Sequence, residues 1–87
     1  MLAIYKYKLD NVGEQRVALP HTARVLCVQV QRGSPCVWAE VDTAFSDSER
    51  IFYTYGTGHL IPEDRVQTYV GTYQLDGGAL VFHVYVN

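Results

Sequence analysis

Residues 24–41 read RVLCVQVQRGSPCVWAEV, and this stretch decides the fold. Apolar and polar residues alternate on both sides of Gly33-Ser34, which is the pattern of two half-buried β-strands joined by a tight turn. A two-residue turn with glycine in first place is a favoured hairpin connection. In the register that this turn sets, one face is wholly apolar and is predicted to be core: Leu26, Val28 and Val30 opposite Val41, Ala39 and Val37.

The other face of this hairpin is mixed, with Cys27, Gln29 and Gln31 opposite Glu40, Trp38 and Cys36. In this register the two cysteines are separated by about 13 Å along the strands. A disulfide needs Cα atoms within about 7 Å, so we expect two free thiols. Trp38 and Gln29 form an aromatic and amide surface of the kind found in interface cores, and we expect them to contact a partner.

A second hairpin is predicted around Asp76-Gly77-Gly78. A two-residue turn there gathers one apolar face, made of Tyr69, Tyr73 and Leu75 with Leu80, Phe82, Val84 and Val86. The opposite face then carries Val70, Thr72 and Gln74 with Val81, His83 and Tyr85. A three-residue turn would scatter the apolar set, so the first register is preferred.

Period-two alternation continues through most of the chain. It predicts seven strands, at about 2–9, 14–19, 23–32, 35–42, 50–55, 67–75 and 79–86. Asn11-Val12-Gly13 marks a turn, 43–49 is a polar loop, and 56–65 is an irregular stretch with room for one helical turn. The expected fold is all-β, a single antiparallel domain over 1–87 that forms a small sandwich or barrel.

The composition excludes several classes of protein. The 87 residues are 48% hydrophobic and 18% charged, which is too apolar for a disordered chain. A net charge of −2 lacks the basic footprint of a duplex nucleic-acid binder. Apolar runs are too short for a membrane helix, and no signal peptide is evident, so we expect a cytoplasmic protein that is not bound to membrane.

The most distinctive segment is Tyr55-Gly56-Thr57-Gly58-His59-Leu60-Ile61-Pro62. Two glycines allow backbone N–H groups to point to one side and hold phosphate or carboxylate. Thr57 adds a hydroxyl and His59 a proton that titrates near neutrality. The alternative is an ordinary loop at the end of a strand. We take residues 55–59 as a candidate ligand or partner site.

Catalytic and metal sites receive little support from the sequence. A thiol with His59 or His83 as base would make a nucleophile, but no nucleophile signature surrounds either cysteine. The three histidines and two cysteines show no zinc spacing. Glu40 and Asp42 fit a solvated face. We therefore expect no catalytic residues, no metal and no cofactor.

Four segments carry a family resemblance: AIYKY at 3–7, VQVQRGSPCVWA at 28–39, YGTGHLIP at 55–62 and YVGTYQLDGGALVFHV at 69–84. Together they are similar to a family of small uncharacterised proteins from bacteriophages and prophages. Lys8 departs from the proline expected after the Tyr-Lys-Tyr run, which affects the first strand only. The resemblance implies a phage origin and a stand-alone domain, and it carries over no catalytic residues.

The expected function is that of a non-enzymatic binding protein in the cytoplasm of an infected bacterium, which counters host defence by covering a host protein or sequestering a nucleotide signal. The alternatives are a structural or accessory phage component and, third, a small enzyme. The tyrosine-rich and Trp38 faces exceed what one small domain needs for its core, so we also expect a homo-oligomer.

Overall fold

The computed structural model describes residues 1–10 and 12–87, and this part of the chain forms seven strands, as predicted. The strands are β1 (Leu2–Lys8), β2 (Gly13–Pro20), β3 (Arg24–Gln31), β4 (Ser34–Asp42), β5 (Asp47–Gly56), β6 (Thr68–Leu75) and β7 (Leu80–Val86). A 3₁₀ turn, Asp76–Gly78, connects β6 to β7. Asn11, one residue of the turn predicted at 11–13, lies outside the described residues.

Two antiparallel sheets form a sandwich and not a closed barrel, which confirms the all-β prediction. The strand orders are β1-β4-β3 and β2-β5-β7-β6. The Cα atoms span 40 × 34 × 16 Å, and the short dimension fits two sheets stacked about 10 Å apart. Within the described ranges, the structure has no helix long and apolar enough to cross a membrane.

The core lies between the sheets and is built from the alternate residues that face inward. Its largest fully buried side chains are Phe52, Leu19, Val37, Val41 and Val84. Burial of one such side chain stabilises the fold by about 1.5–3 kcal/mol. Tyr73 joins the core, and its burial raises the pKa of the phenol above the ordinary value of 10.0.

The first hairpin turns at Arg32-Gly33, so the prediction of a turn at Gly33-Ser34 was wrong. Both Arg32 and Gly33 have positive φ, at 51° and 80°, as a type I′ turn requires. A turn at 33–34 would pair residue 32 with Pro35 through backbone bonds, and proline has no N–H to donate. Gln31 and Ser34 flank the observed turn instead.

A β-bulge at Leu26 corrects the predicted core face of β3. Val25 pairs with Ala39 and Cys27 with Trp38, so Leu26 is the extra residue. Val25 therefore packs against the core, whereas Leu26 is 38% exposed. Val30, also predicted to be core, is 37% exposed beyond the end of the buried region.

The shifted register also moves the cysteines closer together than predicted. Gln29 pairs with Cys36 and not, as the predicted register had it, with Trp38. Cys27 and Cys36 are therefore diagonal neighbours, two residues apart along the ladder instead of four. Both are free thiols, as expected. Diagonal neighbours on a sheet are about 7–8 Å apart, beyond the usual reach of a disulfide.

The second hairpin confirms the preferred register near its turn, although the predicted two-residue turn is wrong and a four-residue connection with a 3₁₀ turn stands in its place. Tyr73 pairs with Phe82, and Leu75 pairs with Leu80, around a connection of residues 76–79. A second bulge then inserts Val70 into β6. Val70 turns toward the core and Tyr69 pairs with Tyr85 on the outer face, so both residues lie on faces opposite to those predicted.

Two loop predictions change in detail. β5 begins at Asp47, three residues before the predicted start, so the polar loop shortens to 43–46. The long irregular stretch runs over 57–67 and contains turns at 57–58 and 63–64, without the helical turn allowed by the sequence.

The two bulged strands approach each other at one side of the sandwich. A Cβ built on Gly71 of β6 would lie 2.8 Å from Cγ1 of Val28 on β3 and 3.7 Å from its backbone nitrogen. Real Cβ atoms do not come so close, so glycine is required by this contact. Gly71 thus lets β6 pack directly on β3, and this contact is the seam between the two sheets.

We predict that Gly71→Ala destabilises the protein by about 1–3 kcal/mol, because the added methyl overpacks against a stiff, buried valine. Urea unfolding measures this loss. The matched test is a double-mutant cycle with Val28→Ala, which removes the clashing methyl. The two changes should be coupled by more than about 0.5 kcal/mol: the double variant should lose less free energy of unfolding than the two single variants lose together. Additive losses would contradict the contact.

Candidate functional site

The turn at 56–59 is held by its own backbone and side chains. The N–H of Thr57 donates to the carbonyl of Val81 at 3.2 Å, and the N–H of His59 donates to the carbonyl of Gly56 at 3.0 Å. The N–H of Gly56 donates to Nδ1 of His59 at 3.2 Å. Gly58 has a φ of 88°, which explains the second glycine.

These bonds change what the glycines can do. Three of the N–H groups expected to form an anion cradle already donate within the protein. The backbone therefore offers no concave set of free donors of the kind that holds a phosphate. The glycines of this segment serve the turn itself.

Gly56 leaves open the space that the imidazole of His59 occupies. A Cβ on Gly56 would lie 2.8 Å from Cε1 and 3.0 Å from Nδ1 of the imidazole. The ring therefore lies directly against the glycine backbone, at the end of β5. This packing fixes the position of an otherwise exposed histidine.

Beside this ring is an open depression of about 330 Å³, which we call the His59 depression. Its lining comes from the 56–59 turn and the start of β7, and consists of Gly56, Thr57, His59, Ala79, Leu80, Val81 and Phe82. A smaller depression of about 150 Å³ lies on the other side of Leu80 and Phe82. Leu80 is 47% exposed, and Leu60, which follows His59 in the chain, is 94% exposed.

The lining of the His59 depression favours the binding of an apolar group. None of its seven residues is lysine, arginine, aspartate or glutamate, and His59 is the only titratable side chain among them. A phosphate group is usually bound by Arg, Lys or free backbone N–H groups. Aliphatic and aromatic carbon here would instead lose contact with water when another apolar group is seated.

Tyr55, a predicted site residue, is buried on the outer face of the four-stranded sheet. Its hydroxyl donates to Oε1 of Gln67 at 3.0 Å and accepts from Nη1 of Arg65 at 2.8 Å. The guanidinium of Arg65 also lies 4.1 Å from the ring centroid of Tyr53. These contacts hold the 57–67 segment over the sheet, and the bond to the Tyr55 hydroxyl raises the pKa of Arg65.

A hydrogen-bonded network that the sequence did not reveal runs across the same outer face. Nε2 of His83 lies 2.8 Å from Oγ1 of Thr57, and Nδ1 lies 2.9 Å from Oγ1 of Thr72. Thr72 in turn contacts the hydroxyl of Tyr69. His83 was correctly placed on the mixed face, but Tyr69 reaches it only because of the bulge at Val70.

Trp38 and Gln29 lie on the other side of the molecule, on the outer face of the three-stranded sheet. Trp38 is half-buried between Lys6 and Cys27, its partners on β1 and β3. Gln29 is exposed beside Cys36. The seven predicted site residues therefore divide into two groups on opposite faces of the sandwich, and they do not form a single site.

The thiol and imidazole groups are likewise separated. Cys36 is 3% exposed on the outer face of the three-stranded sheet, and its Sγ lies 3.6 Å from the carbonyl of Ser34. His83 lies on the outer face of the other sheet. This placement does not bring the Cys36 thiol and His83 together as a nucleophile and its base.

A family model described as "Domain of unknown function (DUF7352)" matches residues 1–87, and the chain belongs to this family. No curated protein and no solved structure matches the chain.

We predict that Gly56→Ala displaces the imidazole of His59, because the new methyl occupies the position of the ring. Loss of the Gly56 N–H bond should shift the Nδ1 resonance of His59 in ¹⁵N NMR toward its value in the unfolded chain. Stability should change by less than about 1 kcal/mol, since an exposed side chain can move away. The control is His21→Ala, a change at a histidine outside this turn, in which the His59 resonance should stay at its wild-type position. An unchanged His59 resonance in Gly56→Ala would contradict the contact.

Proposed function

We propose that this member of the DUF7352 family is a non-enzymatic binding protein that holds an apolar side chain of a partner protein in the His59 depression. The observation that carries the proposal is the lining of that depression. It combines exposed Leu80, half-buried Phe82 and a positioned imidazole with no lysine or arginine.

Exposed leucines in the lining and in the adjoining segment support a protein partner. Leu80 lines the depression and is 47% exposed, and Leu60, which follows His59 in the chain, is 94% exposed. Anchoring side chains in small apolar pockets contribute most of the free energy in many protein complexes. A nucleotide signal would need phosphate contacts, which this lining does not provide.

The biological setting is proposed from the resemblance to bacteriophage proteins. In that setting the protein acts in the cytoplasm of the infected bacterium, and its partner is a host protein whose defence activity is blocked by being covered. Sequestration of a nucleotide signal is the competing version of the same binding function. An NMR comparison of an apolar probe with nucleotides separates the two versions.

A structural or accessory role in the phage is the second candidate. It is favoured by the outer face of the three-stranded sheet, where Leu2 and Ile4 are 66% and 63% exposed near half-buried Trp38. Such a face suits repeated contacts in an assembly. Presence of the protein in purified virions would support this role, whereas its absence from virions would support action in the host cell.

We predict that N-acetyl-leucine amide, used as an apolar probe, shifts the NMR amide signals of Gly56, Thr57, His59 and Leu80, whereas ADP-ribose and cyclic dinucleotides do not. Leu80→Glu should abolish the shifts because a carboxylate enters the apolar lining. The matched control Leu26→Glu changes an exposed leucine elsewhere and should leave them intact. Shifts produced by a nucleotide in this region would overturn the protein-partner version.

The partner itself can be tested by photo-crosslinking in the bacterial host. A photoreactive residue replaces Leu60, and the control carries it at Thr22, which lies at the opposite end of the sandwich. One host protein should crosslink at position 60 and not at position 22. The crosslink should disappear when Leu80→Glu is added. Identical products from both positions, or a crosslink that survives Leu80→Glu, would contradict the proposed site.

A further inference from the structure

β1 is an edge strand whose outward backbone groups can be assigned. The register with β4 runs without a break from Leu2↔Asp42 to Lys8↔Cys36. At its two ends, the N–H of Thr43 donates to the carbonyl of Met1 and the N–H of Leu9 donates to the carbonyl of Pro35. Odd-numbered residues therefore bond to β4, and the N–H and C=O groups of even-numbered residues point away from the sheet.

The outward groups are free only over part of the strand. The carbonyl of Lys8 already accepts from Nε2 of Gln15 at 3.2 Å, so β2 covers that end. The outward groups before it belong to Leu2, Ile4 and Lys6. Nζ of Lys6 donates to Gln31 at 2.7 Å, across β4, so its charge leans away from the open edge.

The other three sheet edges carry features that discourage pairing. β3 and β6 each contain a bulge, and they pack on one another through Val28 and Gly71. β2 ends in Pro20 and carries charges at Glu14 and Arg16. Bulges, prolines and charges are the usual means by which proteins protect an edge. Residues 2–5 of β1 have no bulge, no proline and no charge, and the two lysines of the strand, Lys6 and Lys8, follow them.

This unprotected edge is also apolar on both of its faces. Leu2 and Ile4 are 66% and 63% exposed on the outer face, and Tyr5 is 44% exposed on the inner face. An exposed edge of this kind is a template for another strand. Since apolar side chains line both faces, a strand that paired here would bury them on both sides of the sheet.

We propose that a second copy of this chain pairs with β1 in antiparallel fashion, with Ile4 on the two-fold axis. This register places Ile4 opposite Ile4 of the second copy, Leu2 opposite Lys6, and Ala3 opposite Tyr5. It uses the free outward groups of Leu2, Ile4 and Lys6 and no others. Each of these residues supplies one donor and one acceptor, so about six backbone hydrogen bonds form.

Two alternative registers, with the axis on Lys6 or on Tyr5, are disfavoured by particular contacts. An axis on Lys6 would place two lysines opposite each other, and like charges in that position destabilise a sheet. An axis on Tyr5 would require the outward carbonyl of Lys8, which Gln15 already occupies. The register on Ile4 avoids both.

Pairing would join the two three-stranded sheets into one sheet of six strands. The two Trp38 faces then lie on one continuous surface, with Leu2 and Ile4 of both copies at its centre. This inference does not depend on the His59 depression, which lies at the end of the other sheet. If the β1 dimer does not form, the proposed binding function of the His59 depression is unaffected, and the reverse also holds.

Sedimentation and light scattering of the wild type should give about twice the single-chain mass of 9.8 kDa at micromolar concentration. Ile4→Pro should give the single-chain mass, because proline removes an outward donor while leaving the bonds to β4. Ile4→Ala is the matched control, which loses the same side chain but keeps the N–H. It should still dimerise, with a dissociation constant raised by about tenfold. A monomeric wild type, or an Ile4→Pro dimer as tight as that of Ile4→Ala, would overturn the proposal.

A charge-pair experiment tests the register without proline. Ile4→Glu and Ile4→Lys should each be monomeric, because like charges would meet on the axis. A mixture of the two variants should form a heterodimer, which salt weakens. If the mixture stays monomeric although both variants are folded and the wild type dimerises, the axis does not pass through Ile4.

Discussion

The contact between Gly71 and Val28 is the constraint on which the rest of the sandwich depends. Because Gly71 has no side chain, the backbone of β6 in one sheet lies directly against β3 of the other sheet. Both strands carry a bulge near this contact, at Leu26 and at Val70. A bulge bends a strand and increases its twist, which allows two edges to approach and protects both of them. The sandwich is therefore closed along one side by backbone packing.

The two surfaces with binding potential follow from this asymmetry. The bulge at Val70 turns Tyr69 outward to join Thr72 and His83, and the 57–67 segment covers the adjacent tyrosines through Arg65. The His59 depression, with Leu80 in its lining, stays exposed at that end. On the far side of the molecule, residues 1–10 and 12–87 form no equivalent seam at β1, whose apolar edge is left open.

Local patterns predicted much of the fold, and the errors have physical causes. Alternation identified the strands, and the apolar pairing of Tyr73 with Phe82 gave the second register correctly. The missing N–H of Pro35 disfavours a turn at 33–34, and this effect outweighs the turn preference of Gly33 in first place. The bulges could not be read locally, because Leu26 and Val70 leave the ladder in response to packing between β3 and β6. The candidate turn was recognised from its glycines, whereas its lining residues on β7 come from a strand distant in sequence.

The sandwich is sealed at β3 and β6 and open at β1, and it is at β1 that we propose self-pairing. Amide hydrogen exchange of β1, followed by NMR over a range of protein concentrations, tests it most directly. Ala3 and Tyr5, which bond to β4, should be protected at every concentration. Ile4 and Lys6 should exchange fast in dilute solution and slowly in concentrated solution. If Ile4 and Lys6 stay unprotected at all concentrations, or are as protected as Ala3 and Tyr5 at the lowest one, the claim is wrong.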